Sequence, residues 1–206
     1  MTIEAFLLVG PTGSGKTPLG EALESAGWDG RRCLHFDFGA RLRAAAAGPE
    51  NVPALSAEER NVVRDVLQTG ALLDDRFFGI ARKILEDFLR RREAGPGDLL
   101  VLNGLPRHAG QARDIAPVAD VVRMILLFAP PVTVRERIRT DAAGDRAERG
   151  DDSPAEVERK LALYEQRTRP LIGHYEAKGV PVVRLEVGPK TSAGGLLEAL
   201  RRAVSG

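Results

Sequence analysis

Five short apolar runs mark the chain, at 5–9, 33–36, 99–102, 121–128 and 180–185. Each has strand length and is apolar at nearly every position, as in a strand covered on both faces. Between them, apolar residues recur at helical spacing. Leu19, Leu23 and Ala26 form one such face, Val62, Val66 and Leu67 a second, and Ile80, Ile84, Leu85 and Phe88 a third. Two helix starts are explicit. Ser56 with Glu59 forms a capping-box pattern, and Ser153-Pro154 with Glu156 adds proline at the first helical position. Alternating strands and helices of this kind predict an α/β fold with a parallel sheet between helical layers.

Two segments interrupt the alternation. About sixty residues lie between the second and third strands, room for several helices rather than one crossover. The stretch "RTDAAGDRAERGDD", from Arg139, carries no apolar period and is expected to cover a site as a mobile loop. No internal repeat or long linker divides the 206 residues, so one domain over 1–206 is expected.

Composition narrows the partners. Thirty bases against 29 acids leave a formal charge of +1, which gives no footprint for nucleic acid or a membrane surface. A single cysteine, Cys33, excludes an internal disulfide, and its apolar setting suggests an inert thiol. His35, His108 and His174 show no metal-ligand spacing. No apolar run approaches the roughly 20 residues that span a bilayer, and the start of the chain lacks a signal-peptide pattern. A soluble cytoplasmic protein is expected.

Chemistry enters at "LLVGPTGSGKT". Gly10, Gly15, Lys16 and Thr17 satisfy G-x-x-x-x-G-K-[ST] between a strand and a helix, enclosing Pro11, Thr12, Gly13 and Ser14. Glycines let backbone N–H groups turn inward around anionic oxygens, and the helix N-terminus adds partial positive charge. Lys16 is placed for the β- and γ-phosphates of ATP, and the Thr17 hydroxyl for direct coordination of Mg²⁺. Pro18, in the first helical turn, costs little there. At the end of the third strand, Asn103-Gly104 leads into Leu105-Pro106-Arg107, with Gln111 four residues on. Gly104 permits close backbone approach to a ligand, and Arg107 is presented at the carboxyl end of the sheet. At the end of the second strand stands Asp37, which could cap a helix, assist a metal ion or accept the proton of a substrate hydroxyl.

These motifs together resemble those of adenylate kinases and other nucleoside monophosphate kinases. "GPTGSGKT" is similar to that family's P-loop, "GLPRHAGQA" to its D-G-[FY]-P-R-x-x-x-Q segment, and the block from Arg149 through "YEQRTRPLIGHYEAKG" to its R-x-D-D…Y…T-x-P-L-I-x-Y-Y block. The resemblance covers nearly the whole chain. It implies a three-layer αβα P-loop fold with a five-stranded parallel sheet, a helical acceptor-binding insertion at about 38–95 and a short lid at about 138–152.

The resemblance also implies roles. Arg43 and Arg107 would hold the acceptor phosphate, Gln111 the acceptor base, and Gly39, Gly104 and Phe38 would border the acceptor. Arg137 and Arg149 would be catalytic lid arginines alongside Lys16 and Arg107. Substrates would be nucleotides, with ATP and Mg²⁺ as cofactors, and the protein a monomer.

The chain departs from the family pattern at several points. Phe38 replaces a small hydroxyl residue and Ala40 an acid. Asn103 replaces the third-strand acid that would hold Mg²⁺ through water, so Asn103 and Asp37 are both candidates to reach the ion through water. Asp141 stands at the second lid arginine, with Arg139 and Arg146 nearby, and Lys160 stands where an arginine is usual. The leading expectation is phosphoryl transfer from ATP to a nucleoside monophosphate. A P-loop kinase of a small-molecule hydroxyl, using Asp37, is the enzymatic alternative, and a nucleotide-binding regulatory protein the non-enzymatic one.

Overall fold

The computed structural model describes residues 2–48, 50–71, 73, 75–142, 144 and 153–205. Five strands form one parallel sheet: β1 (Ile3–Val9), β2 (Cys33–Asp37), β3 (Leu99–Asn103), β4 (Ala119–Phe128) and β5 (Val182–Glu186). Their order is β2-β3-β1-β4-β5. All five apolar runs therefore became strands. The strands β2 and β3 end one residue beyond the apolar stretch, at Asp37 and Asn103, which pair in register.

The near-continuous apolar character has a direct cause, since successive side chains feed opposite faces. Ile3, Ala5, Leu7 and Val9 of β1 join one core with Leu100 and Leu102 of β3. Phe6 and Leu8 join the other with Leu99 and Val101. Helices α1 (Lys16–Ala26) and α9 (Ala193–Ser205) cover the second core through Leu19, Leu23, Leu196 and Leu200. The first core is covered by α2 (Phe38–Ala47), α3 (Ala57–Thr69), α4 (Phe78–Arg91), α5 (Ala109–Ile115) and α8 (Leu171–Glu176), with α6 (Pro131–Arg139) and α7 (Pro154–Leu163) at the sheet's carboxyl end. Among the described residues, no helix is long and apolar enough to cross a membrane.

Local signals act as written. Ser56 Oγ accepts from Glu59 N at 3.2 Å, and Glu59 Oε2 accepts from Ser56 N at 2.8 Å. Ser153 and Glu156 repeat the reciprocal cap. Two helix faces differ from expectation. Ala26 is exposed, and in α3 the buried residue is Val63, while Val62, Val66 and Leu67 are only half-buried. Gly20, inside α1, meets His35 so closely that a Cβ there would fall 2.2 Å from Nε2. The helix thus accepts glycine's lower propensity in exchange for packing on β2.

Candidate active site

A cleft of about 230 Å³ opens at the carboxyl ends of β1, β2 and β3, where ligands enter open α/β sheets. Its floor is the loop between β1 and α1. Gly15 caps α1 in the left-handed region at φ 91°, which turns the loop into the helix. Gly10 lies against β4, and a Cβ there would sit 2.5 Å from the Leu127 carbonyl oxygen. The backbone therefore runs where a side chain cannot. Lys16 Nζ donates to the carbonyls of Gly10 at 2.8 Å and Pro11 at 2.7 Å, spanning the loop from inside. Gly10, Thr12, Gly13, Gly15, Lys16 and Thr17 all line the cleft.

Beside Lys16, three polar groups converge. Thr17 Oγ1 donates to Asp37 Oδ2 at 2.7 Å. Asn103 Nδ2 donates to Thr17 Oγ1 and to Asp37 Oδ2, each at 3.0 Å. The other Asp37 oxygen accepts from Ala40 N at 2.9 Å and caps α2. One carboxylate thus caps a helix with one oxygen and faces the phosphate loop with the other. The amide of Asn103 brings its positive end to two oxygens that a divalent cation would also approach. These residues fit such an ion, with phosphate and water supplying most of its ligands. Thr17 would give a hydroxyl, Asp37 a carboxylate through water, and Asn103 an outer hydrogen bond.

Across the cleft stand two arginines from separate elements, Arg43 on α2 and Arg107 after β3. Arg107 Nε donates to the Gly104 carbonyl at 3.0 Å, which fixes the guanidinium near the strand end. Burial pushes the Arg107 pKa below its ordinary value, partly offset by the negative charge of Asp37. An arginine remains protonated regardless, so this is a cation short of water that gains from an incoming anion. Gly39 and Gly104 complete the border.

The roof comes from α3 and α7. Val66, Leu67, Gly70 and Ala71 face Lys160, Leu163, Tyr164 and Thr168. Arg159 donates to the Thr69 carbonyl and so bridges α7 to the end of α3, which leaves Lys160 rather than Arg159 at the cleft. A π-helical turn at Tyr164–Thr168 follows α7. Such widened turns recur at functional sites. Here it keeps Tyr164 and Thr168 on the side of Lys160. Neither of these two was expected at the site from sequence, and Val66 and Leu67 were expected only as a helix face. The four-residue spacing of 160, 164 and 168 was the available signal.

Five expected site residues do not line the cleft: Pro11, Ser14, Phe38, Gln111 and Arg137. Phe38 is 3 % exposed, stacks on Phe36 at 6.0 Å between ring centroids and does not line the cleft. Gln111 is 2 % exposed; its Nε2 donates to the Leu73 carbonyl at 3.0 Å and its Oε1 accepts from Arg107 N at 2.8 Å. Arg137 is buried against backbone. Its Nε donates to Gly13 O at 3.1 Å, and its Nη1 to Gly188, Pro189 and Thr191 carbonyls at 2.8, 3.2 and 3.0 Å. It straps the phosphate loop to the β5–α9 connection. Arg149 and Arg146, with most of the expected lid, fall outside the described residues.

No family model matches the chain. An adenylate kinase of Xanthomonas campestris pv. campestris is 29% identical over 202 residues, covering 96% of this chain and 95% of that protein. An adenylate kinase of Xanthomonas oryzae pv. oryzae is 29% identical over 205 residues, at 97% and 98%. One from Parvibaculum lavamentivorans is 27% identical over 180 residues, covering 84% of this chain and 80% of that protein. Among solved structures, an unliganded sugar kinase from Janibacter sp. HTCC2649 superposes with a TM-score of 0.55 and 17% identity, over 100% of this chain and 95% of that one. The chain is a P-loop kinase. At that level of likeness the sugar kinase speaks for the fold alone. The adenylate kinases are similar along nearly the whole length of this kinase.

Proposed function

We propose that this kinase transfers the γ-phosphoryl group of MgATP to the phosphate of a nucleoside monophosphate. The observation that carries the reading is one cleft holding Lys16 and Thr17 on one side and Arg43 and Arg107 on the other. Two arginines facing a phosphate loop suit an acceptor that is itself anionic. Such an acceptor needs no general base, because its nucleophilic oxygen is already ionised. What the chain then supplies is position and positive charge. Lys16 and the loop N–H groups would cradle the donor, and Arg43 and Arg107 would seat the acceptor in line with it. Helices from the 38–95 insertion and the α7 segment would exclude water that could otherwise take the phosphoryl group. When bound, Mg²⁺ would neutralise charge on the donor phosphates beside Thr17 and Asp37.

The adenylate kinase relatives support this reading over one with a hydroxyl acceptor. So does the orientation of Asp37. A base for a substrate hydroxyl would need a carboxylate turned to the acceptor side of the cleft. Instead both Asp37 oxygens are engaged, by Ala40 N on one side and by Thr17 and Asn103 on the other. The test incubates the protein with MgATP and a panel of monophosphates and hydroxyl metabolites while following ADP release. Release that depends on a monophosphate and disappears in Lys16→Ala supports the reading. A response confined to hydroxyl compounds overturns it. Nucleotide binding with no turnover of any panel member would favour a regulatory role.

A further inference from the structure

Helix α3 walls the cleft yet is lightly held. Of its 13 residues only Val63 is buried, and Val66 and Leu67, on the same face, line the cleft half-buried. Its first turn is pinned from α4, where Lys83 Nζ reaches Glu59 Oε1 at 2.7 Å. Its last turn carries no basic residue of its own, although the final carbonyls of a helix bear partial negative charge. That charge is met from another element. Arg159 of α7 lays its guanidinium over Gly70 and donates to the Thr69 carbonyl. Gly70 ends α3 in the left-handed region at φ 59°, and a Cβ there would fall on the guanidinium. Glycine thus supplies both the turn and the seat.

From this arrangement we infer that Arg159 is a positioning residue, which ties the end of α3 to α7 and so shapes the acceptor half of the cleft before an acceptor arrives. The contact joins two facing walls. Gly70 and Ala71 line the cleft beside it on one wall, and Lys160, the next residue after Arg159, lines the other. Fixing Thr69 to Arg159 therefore sets how far Val66 and Leu67 stand from Lys160 and Tyr164. A helix with one buried residue opens at low cost, so a single added contact shifts its populations measurably. Arg159 is itself exposed, which bounds the effect. A charge at an exposed helix C-terminus changes such populations about two- to fivefold. In the monophosphate kinase proposed above, on which this step rests, affinity for the acceptor falls in proportion to the closed fraction.

The test compares the wild type with Arg159→Met, which keeps a long side chain without its charge, and with Arg159→Lys, which keeps the charge. Hydrogen exchange over residues 62–71 is followed in the ligand-free proteins. KM and kcat are measured with MgATP and with whichever of AMP, GMP, CMP and UMP turns over fastest. In Arg159→Met, exchange at the end of α3 and KM for the monophosphate are each expected to rise about two- to fivefold. KM for ATP and the melting temperature should stay unchanged, and Arg159→Lys should fall between the two proteins. Unchanged exchange in Arg159→Met overturns the tie. Faster exchange with an unmoved KM for the monophosphate, or an equal rise in both KM values, overturns its role in positioning the acceptor site. Turnover of none of the four monophosphates defeats the reading of the acceptor alone, and the exchange result then decides whether the tie exists.

Discussion

Asp37 and Asn103 face each other at the carboxyl ends of β2 and β3, with Asn103 Nδ2 3.0 Å from Asp37 Oδ2 and both within 3.0 Å of Thr17 Oγ1. The carboxylate of the pair thus stands on the second strand and the amide on the third. If that carboxylate serves the metal side, Asp37→Asn removes the only negative charge in the trio. We expect a fall in kcat of about 10²-fold, with a weaker Mg²⁺ dependence of nucleotide affinity. Asp37→Asn/Asn103→Asp returns a carboxylate to within reach of Thr17 and should recover part of both. A Mg²⁺ titration of nucleotide binding by calorimetry checks this. An unchanged dependence in Asp37→Asn would confine Asp37 to capping α2.

Arg43 and Arg107 should behave alike although they come from different elements. Arg43→Ala and Arg107→Ala are each expected to lower kcat/KM for the acceptor by roughly 10²-fold, with ATP affinity altered only a few-fold. Steady-state kinetics with each substrate varied separates the two effects. Equal losses for donor and acceptor would place these arginines outside the acceptor site.

Arg137 makes a different prediction because its partners are backbone carbonyls of Gly13, Gly188, Pro189 and Thr191. Its removal leaves several buried acceptors unsatisfied and detaches the phosphate loop from the β5–α9 connection. Arg137→Ala should cost on the order of 3 kcal/mol in stability. Urea denaturation measures it. Wild-type stability combined with lost turnover would show instead that the side chain works on substrate.

The pH dependence of stability should carry the mark of His35. Burial lowers its pKa below the ordinary 6.5, and repulsion from Arg41 adds to this, while Asp37 and Glu24 pull the other way. Its ring lies against Gly20. The unfolded chain therefore takes up a proton near pH 6.5 that the folded chain resists. Stability is full above that pH and declines as pH falls below it toward the folded value. His174, also lowered by burial, contributes with the same sign. Melting temperature from pH 7.5 to 5.5 should fall less steeply in His35→Gln than in the wild type. Parallel slopes would remove His35 from the account.

Much of the fold could be read in the chain because its signals are local. Apolar runs became strands, and Ser56 and Ser153 cap helices with the partners their spacing named. The phosphate loop was equally plain, since a single turn of backbone dictates its glycines. What escaped depends on distant contacts. Val66 and Leu67 form an apolar helical face that looks like core from spacing, yet they roof the cleft. Apolar periodicity reports a face that leaves water, not whether protein or ligand covers it. Gln111 and Arg137 resemble ligand-binding residues by position. Their partners, at Leu73 and in the loop near 188–191, lie far along the chain and could not be seen from either motif.

The most direct measurement of the central claim is the identity of the phosphorylated product. MgATP and a nucleoside monophosphate are incubated with the kinase, and all nucleotides are quantified by anion-exchange chromatography. The account predicts ADP and the nucleoside diphosphate of the acceptor in equal amounts, with formation suppressed in Arg107→Ala. Full recovery of the monophosphate, while a hydroxyl compound in the same mixture becomes phosphorylated, would contradict it.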